Sequence, residues 1–199
     1  MIHPSVYSRE KVVEAALELI REEGWQGVSV RAIARRLGSS TMPIYSHAKS
    51  IEELEKDLKT KARVLLKEYQ HRPYTEFALL NLAFGYVVFA RDEKNLFRFL
   101  ERPDPIASGD MSGMAELFRS EFGERSEESA ALAGMPPERQ ETLIRYTWVF
   151  THGLAMLVNS GALGKVSDNT ILEFLRNSGE AFYVWAAARD QTEGEGDEE

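Results

Sequence analysis

The chain has 199 residues, 43% of them hydrophobic, which is enough for one ordinary domain or two small ones with a real core. Its 24 Lys+Arg against 32 Asp+Glu leave a net charge of −8, which excludes a surface uniformly coated with positive charge. Residues 1–70 nevertheless hold 12 basic and 10 acidic side chains, against 12 and 22 in residues 71–199, so the two parts differ electrostatically. The absence of cysteine excludes disulfides, a thiol nucleophile, iron–sulfur clusters and thiolate zinc sites. Residues 1–9 lack a signal-peptide pattern, and the longest mostly apolar stretch, residues 79–90, falls short of the roughly 20 residues of a membrane span. A soluble cytoplasmic protein with no membrane partner is expected.

Helical periodicity dominates and no sustained period-two alternation occurs, so an all-α fold is expected. The first helix should start at Ser8, a capping hydroxyl, with Tyr7 and Val12 placed as a hydrophobic staple. Val12, Val13, Ala16, Leu17 and Ile20 make its apolar stripe, and Gly24 stops it. A short second helix begins near Ser29, carries Ile33 and Leu37 inward, and ends at Gly38. A third is expected from Ser40 to about Ala48. The fourth opens with Ser50-Ile51-Glu52-Glu53, a capping box, and runs to Tyr69 before Arg72-Pro73 breaks the pattern. Further helices are expected over 75–92, 94–101, 111–122, 137–160 and 169–189, with an acidic, proline-ended connection over 123–137. The last seven residues, five acids and two glycines, read as a disordered solubilising tail. The domains implied are 1–49, a connecting helix over 50–69, 70–190, and a tail over 191–199.

The most informative segment is 29–49. A helix-turn-helix needs close packing of its first helix, a turn residue tolerating positive φ, and an inward apolar anchor in its second helix. Ala34, Gly38 and Ile44 supply these parts at spacings of four and six residues. With Ser40 as cap, Pro43 falls in the first helical turn, where its missing N–H breaks no helical bond. If Ile44 faces inward, Thr41, Met42, Tyr45 and Ser46 face outward, where hydroxyls can meet base edges and Met42 a thymine methyl. Arg31, Arg35, Arg36 and Lys49 surround that face and are expected to hold phosphates. His47 is a further candidate contact, or a packing residue between the third and fourth helices.

From Val12 to Leu54 the chain resembles the DNA-binding domain of the TetR family of transcriptional regulators. The resemblance rests on Ala15-Ala16-Leu17-Glu18-Leu19, Gly24, Ser29-Val30-Arg31, Ile33-Ala34, Leu37-Gly38, Ile44-Tyr45, Lys49-Ser50 and Glu52-Glu53-Leu54. It implies an N-terminal three-helix DNA-binding domain and a larger C-terminal helical domain for effector binding and dimerisation. It further implies a homodimer that reads palindromic operator DNA and is released by a small-molecule effector, with repression as the expected sense. The matching positions are Arg31, Ser40, Thr41, Tyr45 and Lys49. Two departures are Ala48, where family members usually carry an aromatic, and Thr41, where many carry a basic residue. The recognition helix therefore has no Lys or Arg of its own. The alternative is a small-molecule binding protein whose helix-turn-helix has little DNA affinity.

In the C-terminal part, Trp148, His152 and Gly153 resemble a Trp, His and Gly pattern found in one subgroup of TetR C-terminal domains. Trp148 and His152 share one helix face, as a core pair or as a polar handle in an effector pocket. Phe84 and Phe89 are the other candidate ligand-binding residues, because such sites are mostly apolar. Gly153, costly inside a helix, hints at close approach by another helix. The stripe of Ile171, Leu172, Leu175, Phe182 and Trp185, with the helix over 143–158, could build a four-helix dimer interface. No nucleophile elbow, phosphate-cradling glycine loop or dinucleotide fingerprint is present, and His3, His47, His71 and His152 lack metal-ligand spacing. No catalytic residue, metal or cofactor is expected.

Overall fold

The computed structural model describes residues 7–47, 50–102 and 134–188. Among them the regular structure is helical throughout, in the order α1 (Arg9–Glu23), a 3-10 turn (Trp25–Gly27), α2 (Val30–Arg36), α3 (Met42–His47), α4 (Ile51–Gln70), α5 (Ala78–Asp92), α6 (Lys94–Leu100), α7 (Pro137–Ser160) and α8 (Asp168–Ala188). The fold is an N-terminal helix-turn-helix domain followed by a larger helical domain. The expected helix over 111–122 and the acidic tail lie outside the described residues, as does most of the connection over 123–137.

Two compact units emerge. One combines the described residues up to 68 with 92–102; the other combines 69–91 with 134–188. Residues 94–101, grouped with the C-terminal region on sequence, thus cluster with the N-terminal helices.

In the first unit, Ser8 caps α1 by accepting from the Lys11 N–H at 3.3 Å. Val12, Ala16 and Ile20 are fully buried, and the stripe also takes in Ala15 and Leu19, while Leu17 is only half-buried. The Gly24 N–H returns to the Ile20 carbonyl and ends the helix. The Tyr7 hydroxyl donates to the Leu37 carbonyl at 2.6 Å. Leu54, Leu58 and Ala62 repeat every fourth residue along α4 and are buried, as an amphipathic helix requires. At its start the Ser50 hydroxyl accepts from the Glu53 N–H at 3.2 Å. The carboxylate on that cap is Glu52, held below its ordinary range by its own backbone N–H and then by the Ser50 hydroxyl. Glu53 reaches Arg9 instead, at 3.1 Å.

Helix α6 belongs here for identifiable reasons. Arg21 pairs with Glu93, and the Asn95 amide donates to the Arg21 carbonyl at 2.8 Å, satisfying a backbone acceptor in the last turn of α1. Phe99 stacks on Trp25 with ring centroids 5.0 Å apart. Lys59, only 4% exposed, donates to the Arg102 carbonyl at 3.4 Å and faces Glu55 at 3.7 Å, so its buried charge is compensated.

In the second unit α5 is buried from Asn81 to Ala90 without a polar face, the mark of a central helix. It starts at Ala78 rather than at 75 because Thr75 is used locally: its N–H and hydroxyl donate to the Asn81 side-chain oxygen at 2.7 and 2.9 Å, and the Asn81 amide returns to the Thr75 carbonyl at 2.9 Å. Gly85 is required, since a Cβ there would sit 2.3 Å from the Tyr69 carbonyl oxygen. Asn159, buried on α7, donates to the Ala90 carbonyl at 2.8 Å. Helices α7 and α8 pack together, with Met135, Leu143 and Ala186 buried alongside Leu79 and Phe182.

Candidate nucleic-acid interface and effector region

The helix-turn-helix forms as its three anchors require. Ser29 caps α2 by accepting from the Ala32 N–H at 3.1 Å, and Ala34 is buried. Leu37 closes the helix in right-handed conformation, and Gly38 follows at φ 62°, in the left-handed region that favours glycine. The Ser39 N–H then reaches the Ala34 carbonyl at 2.9 Å and the Gly38 N–H the Arg35 carbonyl at 3.2 Å, a Schellman closure. Ile44 is 1% exposed and pins α3 to the core.

Helix α3 and its cap sit one residue later than expected. The Thr41 carbonyl accepts from the Ile44 and Tyr45 N–H groups, at 3.1 and 3.3 Å, so Thr41 takes the capping place assigned to Ser40. Ser40 is left in the turn, where its carbonyl accepts from the Ser39 hydroxyl at 3.0 Å. The reason is the turn itself: the glycine closure consumes Gly38 and Ser39, and the chain needs one further residue to reverse. Pro43 remains in the first helical turn, where its lack of an N–H costs nothing.

Pinning Ile44 turns the opposite face outward. Met42 is 77% exposed and Tyr45 54%, Ser46 and Ser40 are exposed, and Thr41 is half-buried. The Ser46 hydroxyl donates to the Pro43 carbonyl at 2.7 Å, so toward an outside group it acts through its lone pairs. His47 ends α3; its side chain, with Ala48 and Lys49, lies outside the described residues.

The three arginines of α2 divide. Arg31 and Arg35 are exposed, one turn apart on one face, and make no ion pair among the described residues. Arg36, expected to hold phosphate, is committed elsewhere: it donates to Glu22, and at 3.1 Å to Glu18, both on α1. The Glu22 bond raises the Arg36 pKa, with Glu18 adding to it, while Arg36 holds the Glu22 carboxyl below its ordinary range. Arg9, at the start of α1, is likewise raised by its bonds to Asp57 at 2.7 Å and then to Glu53. Sequence periodicity could not single out these commitments, because each partner lies on a different helix.

Of the candidate ligand residues, Phe84 and Phe89 are fully buried. They meet Tyr74 and Tyr69 edge-on, with centroids 4.7 and 5.5 Å apart. Trp148 and His152 are half-buried and stack at 4.9 Å with rings 8° from parallel. His152 Nδ1 lies 2.9 Å from the Tyr86 hydroxyl, a partner on α5 that the Trp and His spacing did not reveal. The adjacent Thr151 is 3% exposed and its hydroxyl has no partner among the described residues. A groove of about 520 Å³ lies elsewhere, lined by Asn177, Glu180, Ala181, Val184, Trp185 and Ala188 of α8. It contains none of the four candidates.

Residues 12–58 match the family described as bacterial regulatory proteins, tetR family. The chain is 23% identical over 174 residues to the HTH-type transcriptional regulator Rv0681 of Mycobacterium tuberculosis, covering 84% of this chain and 78% of that one. It is 25% identical over 177 residues to the HTH-type transcriptional regulator YobS of Bacillus subtilis, covering 84% and 86%. Among solved structures, a transcriptional regulator from Rhodococcus sp. Rha1 superposes with a TM-score of 0.59 at 19% identity, over 90% of this chain and 97% of that one. A TetR variant from Acinetobacter baumannii AYE in complex with minocycline gives 0.54 at 17% identity, over 92% and 98%.

Proposed function

We propose that this chain, which carries a TetR-type helix-turn-helix domain at its N-terminus and the TetR fold over its length, is a transcriptional repressor. It binds palindromic operator DNA as a homodimer and is released by a small-molecule effector. The observation that carries the reading is the orientation of α3. Ile44 is buried, so Met42, Tyr45 and Ser46 face outward beside the uncommitted Arg31 and Arg35. Side chains of this kind can meet base edges and a thymine methyl, and the arginines can neutralise phosphates and set register. Because α3 as described carries no Lys or Arg, affinity rests on cations outside it, among them Lys49.

The dimer surface is assigned to α7 and α8. Val149, Met156 and Leu157 form an exposed apolar stripe on α7, and Gly153 lies within it, with none of the described residues within 4 Å of where its Cβ would be. Phe174, Val184 and Trp185 are exposed on α8, so two copies can bury these faces as a four-helix interface. The effector site is assigned to the neighbourhood of Trp148, His152 and Tyr86, with Phe84 and Phe89 as its apolar backing. An effector that prefers the conformation with badly spaced readers shifts the population away from binding, since two half-sites about 34 Å apart must be met together.

Selection of the purified protein against a random duplex library, followed by affinity at two salt concentrations, tests the reading. A palindrome with a steep fall of affinity in salt is the expected result. A folded dimer that enriches no duplex would instead make this a small-molecule binding protein with a vestigial reader.

A further inference from the structure

We propose that Tyr7 is a positioning residue of the DNA reader, its hydroxyl fixing the turn from which α3 departs; the proposal rests on the DNA-binding reading above. The Tyr7 hydroxyl donates to the Leu37 carbonyl at 2.6 Å across 30 residues of sequence. Leu37 follows α2 directly and closes it in right-handed helical conformation. The carbonyls of Ile33, Ala34 and Arg35 accept from the N–H groups of Leu37, Ser39 and Gly38, so they are satisfied within the motif. The Leu37 carbonyl lies beyond the last helical donor, and its partner comes from another part of the chain.

That carbonyl belongs to the peptide joining Leu37 to Gly38, the point at which the chain reverses toward α3. Gly38 is the most permissive residue of the motif: it has no side chain, and none of the described residues lies within 4 Å of where its Cβ would be. The Schellman bonds of the Gly38 and Ser39 N–H groups restrain the turn from within the motif and leave the Leu37 carbonyl to Tyr7; a small rotation of that peptide would swing α3, with Met42 and Tyr45 on its outer face. Tyr7 adds a restraint from outside the motif. Its own place is secured by Arg9, two residues on, which reaches Asp57 and Glu53 on α4, while the Ser8 hydroxyl between them serves the first turn of α1 through the Lys11 N–H. Three consecutive residues thus tie the start of α1 to the turn, to its own first turn and to α4. The spacing of base-reading side chains depends on the angle of α3, whereas phosphate attraction by Arg31 and Arg35 does not.

Tyr7→Phe deletes one oxygen and keeps the ring. Its affinity for the operator that the wild type selects should fall about five- to tenfold, the worth of one hydrogen bond used for position. Affinity for random duplex and the salt slope should stay as in the wild type, and amide exchange at Gly38 and Ser39 should accelerate. Ser8→Ala serves as the comparison, because it removes a helix cap and lowers the melting temperature without touching the turn. It should leave the ratio of operator to random-duplex affinity intact. Tyr7→Phe matching the wild type on operator within about twofold, losing operator and random duplex alike, or shifting that ratio no more than Ser8→Ala does, overturns the proposal while the DNA-binding reading stands. A wild type that selects no duplex overturns both.

Discussion

Arg36 of α2 and Glu22 of α1 are joined by a hydrogen-bonded ion pair, which withdraws that arginine from the positive surface beside α3. Arg31 and Arg35, on the same helix, stay exposed. A helix with three arginines therefore offers two to a polyanion and uses the third to hold itself against its neighbour.

The division is measurable by salt dependence. Arg31→Ala and Arg35→Ala should each weaken binding to operator and random duplex alike and lower the salt slope by about one. Arg36→Ala should leave the slope unchanged and lower the melting temperature modestly. Titrating log affinity against log salt for the three variants decides it; a slope loss in Arg36→Ala equal to the other two would refute the assignment.

The same pair gives a pH dependence with a definite sign. The Glu22 carboxyl is held below its ordinary range by Arg36, so its contribution is present above the unfolded carboxylate pKa and is lost as pH falls through the lower folded value. Glu22→Gln should melt lower than the wild type near neutral pH, with the gap closing in the acid range. Melting curves between about pH 7 and pH 3 would show the convergence; a constant gap would mean that the charge is not what Arg36 recognises.

Gly85→Ala should be among the most damaging single-methyl changes in the chain. The added carbon would fall 2.3 Å from the Tyr69 carbonyl oxygen and 2.6 Å from the Gln70 Cα, both backbone atoms of α4. Relief requires moving one helix against the other, at a cost of about 1–3 kcal/mol or more. Denaturant unfolding measures this, and a variant as stable as the wild type would contradict the close crossing of α4 and α5.

Gly153 gives the opposite case. Nothing among the described residues lies within 4 Å of its Cβ position, so Gly153→Leu should fold normally and gain roughly 0.5–1 kcal/mol of helix propensity. If the Val149 to Leu157 face is the dimer contact, the same substitution should weaken dimerisation. Sedimentation of wild type and variant over a concentration series separates the outcomes: a more stable protein with unaltered association would place the interface elsewhere.

The aromatic cluster of the second unit is testable through one atom. Tyr86→Phe removes the hydroxyl that meets His152 Nδ1 and leaves the ring in place. Effectors found by screening release of the operator should bind this variant about five- to tenfold more weakly, with DNA affinity intact. Unchanged effector binding by calorimetry would move the site away from Trp148 and His152.

The residue order by itself determined the helical class, the caps at Ser8 and Ser50, the inward anchors Val12, Ile33 and Ile44, and the turn glycine at 38. Each of these rests on interactions within a few residues along the chain, where the 3.6-residue period and a single hydroxyl or missing Cβ suffice. Tertiary structure alone decided that Arg36 faces Glu22, that Tyr7 meets Leu37, that residues 93–102 pack with the N-terminal helices through Arg21, Trp25 and Lys59, and that His152 is joined to Tyr86. Those partners stand 14 to 72 residues apart in the sequence. Local periodicity sets which face of a helix turns inward, but not which other helix that face will meet; the choice is made by the packing of all the buried faces at once.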